Sequence, residues 1–373
     1  MKQLNILQLL PNLNSGGVER GTLEVSKAIV DAGHKSFVIS GGGRLVAQLQ
    51  EQGGHHTCMP IGLKSLKVFF LILKLRQYLL SNSIDIVHVR SRLPAWVLHF
   101  TLKTIPQKNR PARLSTVHGL YSVSRYSAIM TQGEKVIAVS QCVKEYIKAN
   151  YTDCDPNKIS VIPRGISENE FPYGYKATTS WRESFFRQFP ELEKKIILTL
   201  PGRITRLKGH YDFLDLVQAL THKGMPVHGL IVGGHEPQKL NYLNELKKLI
   251  RNKKLGSHIT FTGHRSDIKE IYSISRIVFS LSHKPESFGR TVLEPLSLGV
   301  STIGYSHGGV KEIFEELYPD GLVNTQCIES LIKKTQETLE STIKPRKNTS
   351  FTLLKMLKKT LDLYIEISAI SKK

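Results

Sequence analysis

The sequence predicts an α/β protein built from two Rossmann-like, doubly wound parallel-sheet domains facing a central cleft, and three observations predict it. The chain has 373 residues, too many for one hydrophobic core and suited to two domains of about 150 to 200 residues each. Short runs rich in Ile, Val and Leu alternate with longer amphipathic stretches, the pattern of buried parallel strands wrapped by helices. Pro163, Gly165, Pro172 and Gly174 cluster once, near the middle, and interrupt that alternation.

The first series runs LNILQLL, a helix from Gly17, SFVIS, a helix, IDIVHV, RLSTVHG and KVIAVS. The second runs KKIILTLPG, a helix from His210, VHGLIVGG, a helix through Leu249, HITFTG, RIVFSLS and VSTIGY. The expected domains are therefore residues 1–170 and 171–352. A lysine-bearing helix within 353–373, from about Leu353 to Ile370, is expected to pack back on the first domain. Open α/β sheets bind ligands at the carboxyl ends of their strands, so candidate residues are sought there.

Hydrophobic residues make up 40% and charged residues 22% of the chain, as in a soluble globular protein. Lysine and arginine number 52 against 31 acidic residues, a formal charge of +21, which favours a polyanionic ligand or surface. The basic residues are dispersed, aromatics are not interleaved with them and no recognition motif is present, so no nucleic-acid partner is expected. The opening MKQLNILQLLP reads as a first strand rather than a signal peptide. The longest apolar run, Val68 to Leu73, is bracketed by Lys67 and Lys74 and falls short of the roughly 20 residues that cross a bilayer. Cys58, Cys142, Cys154 and Cys327 form no C-x-x-C pair, which fits a reduced, cytoplasmic protein.

In ESFGRTVLE, Glu286 and Glu294 stand on either side of a helix start marked by Phe288, Gly289 and Arg290. A helix start offers backbone N–H groups to an anion, and Glu294 on the following turns can accept from vicinal hydroxyls such as a ribose diol. LPGRITRLKG follows a strong strand and supplies Arg203 and Lys208, two cations able to neutralise a diphosphate without a metal. Each of these four residues taken alone also fits a solvated surface charge. Gly16 and Gly17 precede a helix where a side chain would occupy a phosphate's place, and they fit a plain turn equally. His118 ends the strand RLSTVHG, where a parallel strand delivers its side chain to the crevice or holds it in a structural hydrogen bond. Asp153 and Asp155 in TDCDPNK have a D-x-D spacing, but Pro156 beside them argues for a turn, and no metal site and no cofactor are expected.

Together GRITRLKG, GGHE, ITFTGHRSDI, ESFGRTVLE and SHGGVKEI resemble the retaining family-4 glycosyltransferases of the GT-B fold. In the first half, LNSGGVER resembles the family's glycine loop, TVHGLY its cleft histidine segment, KVIAVSQCV its sixth strand and VIPRGIS its hinge. The resemblance implies transfer of a hexose-type sugar from a nucleotide-diphosphate sugar. It implies Arg203 and Lys208 on the diphosphate, Glu294 on the ribose, Glu286 on the transferred sugar and His118 on a sugar hydroxyl. Gly16, Gly17, Arg265, Phe288, Gly289 and Arg290 complete the donor site, with the base near Gly263 to Asp267 and UDP and GDP both open. An epimerase or phosphorylase on the same scaffold remains an alternative. A nicotinamide oxidoreductase ranks near the bottom of the alternatives, because G-x-G-x-x-G is absent after the first strand.

Two departures stand out. VHVRSRLPAW replaces the His-x-His stretch of many relatives and puts Arg90 and Arg92 at an expected cleft rim, and Arg164 stands in the hinge where asparagine is common. HVRSRLPAW and SRYSAIM resemble a branch associated with lipopolysaccharide core assembly, implying an anionic glycolipid or polysaccharide acceptor. Arg90 and Arg92 suit its phosphate or carboxylate groups, and suit local backbone carbonyls as well. In GLKSLKVFFLILKLRQYLL, Lys64, Lys67, Leu71, Lys74 and Tyr78 fall on one helical face and Leu66, Phe69, Phe70, Leu73 and Leu80 on another. The apolar face is expected on the sheet, with the lysines drawing the enzyme to an anionic membrane surface, peripherally on the inner face of the cytoplasmic membrane.

Overall fold

The structure, a computed structural model, describes residues 2–14, 16–63, 68–234 and 240–370. They form two compact units: the chain up to Arg164 together with Leu354 onward, and Gly165–Leu353. In the first, β1 (Asn5–Leu9), β2 (Lys35–Ser40), β3 (His55–Cys58), β4 (Ile86–Val89), β5 (Ala112–Val117), β6 (Lys135–Ala138) and β7 (Ile159–Val161) form one parallel sheet. Its order is β3-β2-β1-β4-β5-β6-β7. β4 and β5 are buried at every position, as strands covered by helices on both faces must be. The order runs outward in opposite directions from β1 and β4, so this unit's switch point lies at their carboxyl ends.

The second unit repeats the plan with β8 (Ile196–Pro201), β9 (Val227–Val232), β10 (Ile259–Gly263), β11 (Ile277–Ser280), β12 (Thr302–Tyr305) and β13 (Leu322–Val323), in the order β10-β9-β8-β11-β12-β13. Its switch point is at β8 and β11. Phe213, Leu214 and Val217 of the helix His210–His222 pack on Leu198, Leu200, Ile231 and Phe279 of the sheet.

The division falls after Arg164, six residues before the boundary expected from the Pro and Gly cluster. Two chain segments run side by side just beyond it: Ile166 pairs with Thr352, and Ile166 N–H donates to Phe351 O at 3.1 Å. A Cβ on Gly165 would lie 2.2 Å from Thr352 O, so only glycine permits this approach. The closing helix Leu353–Ile370 then buries Leu363, Tyr364 and Ile367 against Leu4, Ile6, Ile29, Ile86 and Leu114 of the first unit.

The helix Val68–Ser81 corrects the expected faces. Leu71, Leu75 and Leu79, at four-residue steps, carry the buried stripe, whereas Phe70, Leu73 and Leu80 are 73%, 66% and 40% exposed. The apolar face expected on the sheet is thus partly turned to solvent, because the residues were partitioned about the lysines rather than about the Leu71–Leu75–Leu79 repeat. Lys64, Leu66 and Lys67 lie outside the described residues, as does the side chain of Phe69. Among the described residues no helix is long and apolar enough to cross a membrane.

Candidate active site

In the second unit, the chain leaves β8 at Pro201, passes exposed Arg203 and makes a one-turn helix, Arg206–Lys208, before the helix from His210. This loop is tied to the one after β11, since His283 N–H donates to Leu207 O at 2.8 Å. Lys208 and Glu286 therefore meet: Nζ donates to Oε1 at 2.7 Å, and both side chains are 24% exposed. Ser282 Oγ donates to the same carboxylate oxygen, and Gly309 N–H donates to Glu286 O at 2.8 Å. Burial works to raise the Glu286 carboxyl, but Lys208, Ser282 and His307 together hold it below the ordinary carboxylate value. An ionised carboxylate accepts only, and an ammonium with three N–H groups keeps donors beyond the one Glu286 takes. The pair can thus offer cation to a phosphate and acceptor to a hydroxyl.

Gly289 caps the helix Arg290–Ser297 with φ of 114° and no side chain of its own, so no side-chain cap occupies the first turn's N–H groups. A Cβ there would also meet Val310 at 2.6 Å. Glu294 accepts from Arg290 Nε at 3.0 Å and from Tyr272 OH at 3.4 Å. Burial and the neighbouring Glu294 carboxylate push the Tyr272 phenol well above its usual value, so it stays a donor. The Phe288 ring is 4% exposed and packs edge-on to Phe351, which leaves its backbone rather than its ring for a ligand. Arg265 is committed to Asp267, through Nε at 2.8 Å and Nη2 at 2.6 Å, and to Gln188 through Nη1 at 3.2 Å.

In the first unit, Gly16 takes φ of 140° and Gly17 opens the helix Gly17–Asp31. Arg164 Nη1 donates to the carbonyl of Gly17, and its Nη2 lies 2.8 Å from Nδ1 of His118. Burial first, then the Arg164 and Arg90 cations and His88, push the His118 imidazole well below its ordinary value, so it is neutral. The expected rim position of Arg90 is corrected. Arg90 is only 5% exposed, and its Nε donates to Gln8 Oε1 at 2.8 Å beneath the closing helix. Arg92 is partly buried: it donates from Nη1 to Ser127 Oγ at 3.0 Å and lies over the rings of Tyr121 and Tyr126 at 4.8 and 5.3 Å. Asp155 accepts from Asn157 N–H at 2.9 Å and caps a one-turn helix.

Residues 15–170 match Glycosyltransferase Family 4, and residues 182–351 match Glycosyl transferases group 1. A solved glycosyltransferase from Rickettsia africae ESF-5 is 31% identical, with 98% of this chain covering 99% of that one at a TM-score of 0.84. The chain belongs to the GT-B glycosyltransferases. Anabaena HepE, solved with UDP and glucose, shares the transferase's fold at 17% identity and a TM-score of 0.79, over 98% of this chain and 100% of that one. The lipopolysaccharide outer core galactosyltransferase WaaB does so at 14% identity and a TM-score of 0.73, over 97% and 99%. The transferase spans 33% and 62% of the lengths of two curated relatives that it matches at 29% and 22% identity.

Several contacts of the candidate residues carry no signal in the sequence. Tyr272 and Ser282 reach the glutamates from outside the motif, and Gln8 and Arg164 come to Arg90 and His118 from strands and turns far along the chain.

Proposed function

We propose that the transferase moves a hexose-type sugar from a nucleotide-diphosphate sugar to an anionic lipid-linked or polysaccharide acceptor of the lipopolysaccharide-core kind, with retention and without a metal. The observation that carries the donor half is the Lys208–Glu286 pair, held by Ser282 after β11 and by the N–H of Gly309 in the helix Gly308–Leu317. Breaking the anomeric bond builds negative charge on the departing diphosphate, and preorganised cations there give the largest stabilisation. Lys208 and Arg203 supply them, Glu294 takes the ribose hydroxyls and Glu286 a hydroxyl of the transferred sugar. In the retaining route the departing phosphate accepts the acceptor's proton on the face it leaves. His118, neutral, holds a sugar hydroxyl rather than acting as a base. The acceptor class is supported by HVRSRLPAW and SRYSAIM and by the fold shared with a lipopolysaccharide outer core galactosyltransferase.

A panel of UDP-, GDP- and ADP-sugars in EDTA, read first by thermal shift and then by transfer, tests the reading. One donor should stabilise the protein, by about 2.7 kcal/mol at 100 times its Kd, and transfer should persist in EDTA. Complete loss restored by manganese would overturn the metal-free route.

The same reading places the enzyme peripherally on the inner, anionic leaflet of the cytoplasmic membrane, supported by exposed Phe70 and Leu73 beside Lys74 and by the charge of +21. Burying one such apolar side chain contributes about 1.5 to 3 kcal/mol. The Phe70→Ser, Leu73→Ser double variant should therefore lose at least tenfold in co-sedimentation with vesicles containing anionic phospholipid. Unchanged co-sedimentation counts against this surface.

A further inference from the structure

Arg164 is the residue at which the chain first leaves the first unit. Its guanidinium makes two contacts that belong to different elements: Nη1 donates to the carbonyl of Gly17, the first residue of a helix, and Nη2 lies 2.8 Å from Nδ1 of His118, just past β5. A guanidinium has only donors. Nδ1 of His118 must therefore be the acceptor, and the neutral ring then carries its proton on Nε2. We propose that Arg164 is a positioning residue that fixes His118 as the Nε2–H tautomer and ties it to the glycine turn, so that His118 meets a substrate oxygen as a donor. This rests on the reading of His118 as a substrate contact given above.

The surroundings agree with that role. Arg164, His118, Arg90, His88 and Thr116 line a cavity of about 30 Å³, room for about one water and not for a sugar. At that cavity, then, Arg164 acts through His118. The groups acting on the imidazole are Arg164, and Arg90 and His88 from β4 and its end; the backbone N–H of His118 donates to the Tyr121 hydroxyl at 3.3 Å. Glu24, on the helix from Gly17, lies close to Arg90 and Arg164 around Gly21. From the closing helix, Tyr364 OH meets His88 Nδ1 at 2.6 Å. Burial and three cationic or protonatable neighbours keep the ring neutral, so the tautomer, not the protonation state, is what remains to be set. An Nε2–H donor cannot take a proton from an acceptor hydroxyl, which is consistent with a departing phosphate doing so.

The test uses the full chain labelled with 15N-histidine, with His118 assigned from the spectrum of His118→Gln. Wild type should show the Nε2–H pattern for His118 with no titration from pH 5 to 8. Arg164→Met removes the donor to Nδ1, so His118 should become a mixture of the two neutral tautomers. Its kcat should fall tenfold or more with donor KM unchanged. Arg164→Lys, which can still donate to Nδ1, should restore the tautomer and part of kcat. An Nδ1–H pattern in wild type overturns the proposal even if Arg164→Met fails to fold. So does Arg164→Met with an unaltered tautomer, or with wild-type kcat. A chain that transfers no sugar at all would sink the proposed reaction while leaving the tautomer result standing.

Discussion

Lys208→Ala is expected to lower turnover by two to three orders of magnitude, about 2.7 to 4 kcal/mol, the scale seen when one preorganised contact to a developing negative charge is removed. The structure adds a second consequence. Lys208 is the cation that holds the Glu286 carboxyl down, and with it gone burial acts with less opposition. Since Glu286 is needed as a carboxylate, the acid limb of the rate profile should move to higher pH in the variant. In wild type that limb lies lower, because the depressed carboxyl stays ionised as pH falls. Lys208→Arg keeps the charge on a differently shaped head, so it should recover the position of the acid limb more fully than turnover. Steady-state rates between pH 4 and 8 check all three. Near-wild-type transfer by Lys208→Ala would remove Lys208 from the site.

Glu294→Ala is expected to weaken nucleotide binding by one to two orders of magnitude. Two ribose hydroxyls lose a charged acceptor, and hydrogen bonds to a charged group contribute about 1.5 to 3 kcal/mol each at most. The variant also strips Tyr272 of its acceptor and Arg290 of its partner, so a loss of about 1 to 3 kcal/mol in stability should accompany it. Glu294→Gln separates the two effects: it retains an acceptor oxygen for Tyr272, so stability should recover while nucleotide affinity recovers only in part. Calorimetric titration with the nucleoside diphosphate, beside a thermal melt, reads both. Unchanged nucleotide affinity in a folded Glu294→Ala protein would refute the ribose role.

The glutamates and Lys208 could be singled out as candidates because they follow strand ends or a helix start, places where local sequence controls exposure. Arg90 sits at a strand end too, yet the reading failed there. What covers the end of β4 is the closing helix, whose Tyr364 lies against His88 and Arg90 but belongs to a segment far downstream in the sequence. Nothing near HVRSR encodes that cover. The misread faces of the helix Val68–Ser81 have a related cause. A stretch apolar on nearly every side carries little periodic contrast, and only packing selects Leu71, Leu75 and Leu79 over Phe70 and Leu73. The closing helix runs Leu353–Ile370, and its membership of the first unit is a matter of contacts with Leu4, Ile6 and Ile86.

By itself the sequence determined the two parallel-sheet units and their buried central strands, because strand burial, turn chemistry and helix starts are properties of contiguous segments; the short edge strands β3, β7 and β13 carry too few buried positions to be read that way. Only the tertiary structure decided that Lys208 and Glu286 form one ion pair, that Arg90 is interior, and that Arg164 grips both His118 and the glycine turn. Those are meetings of side chains from separate loops. Their distances are set by how the sheets close, which no local pattern of residues specifies.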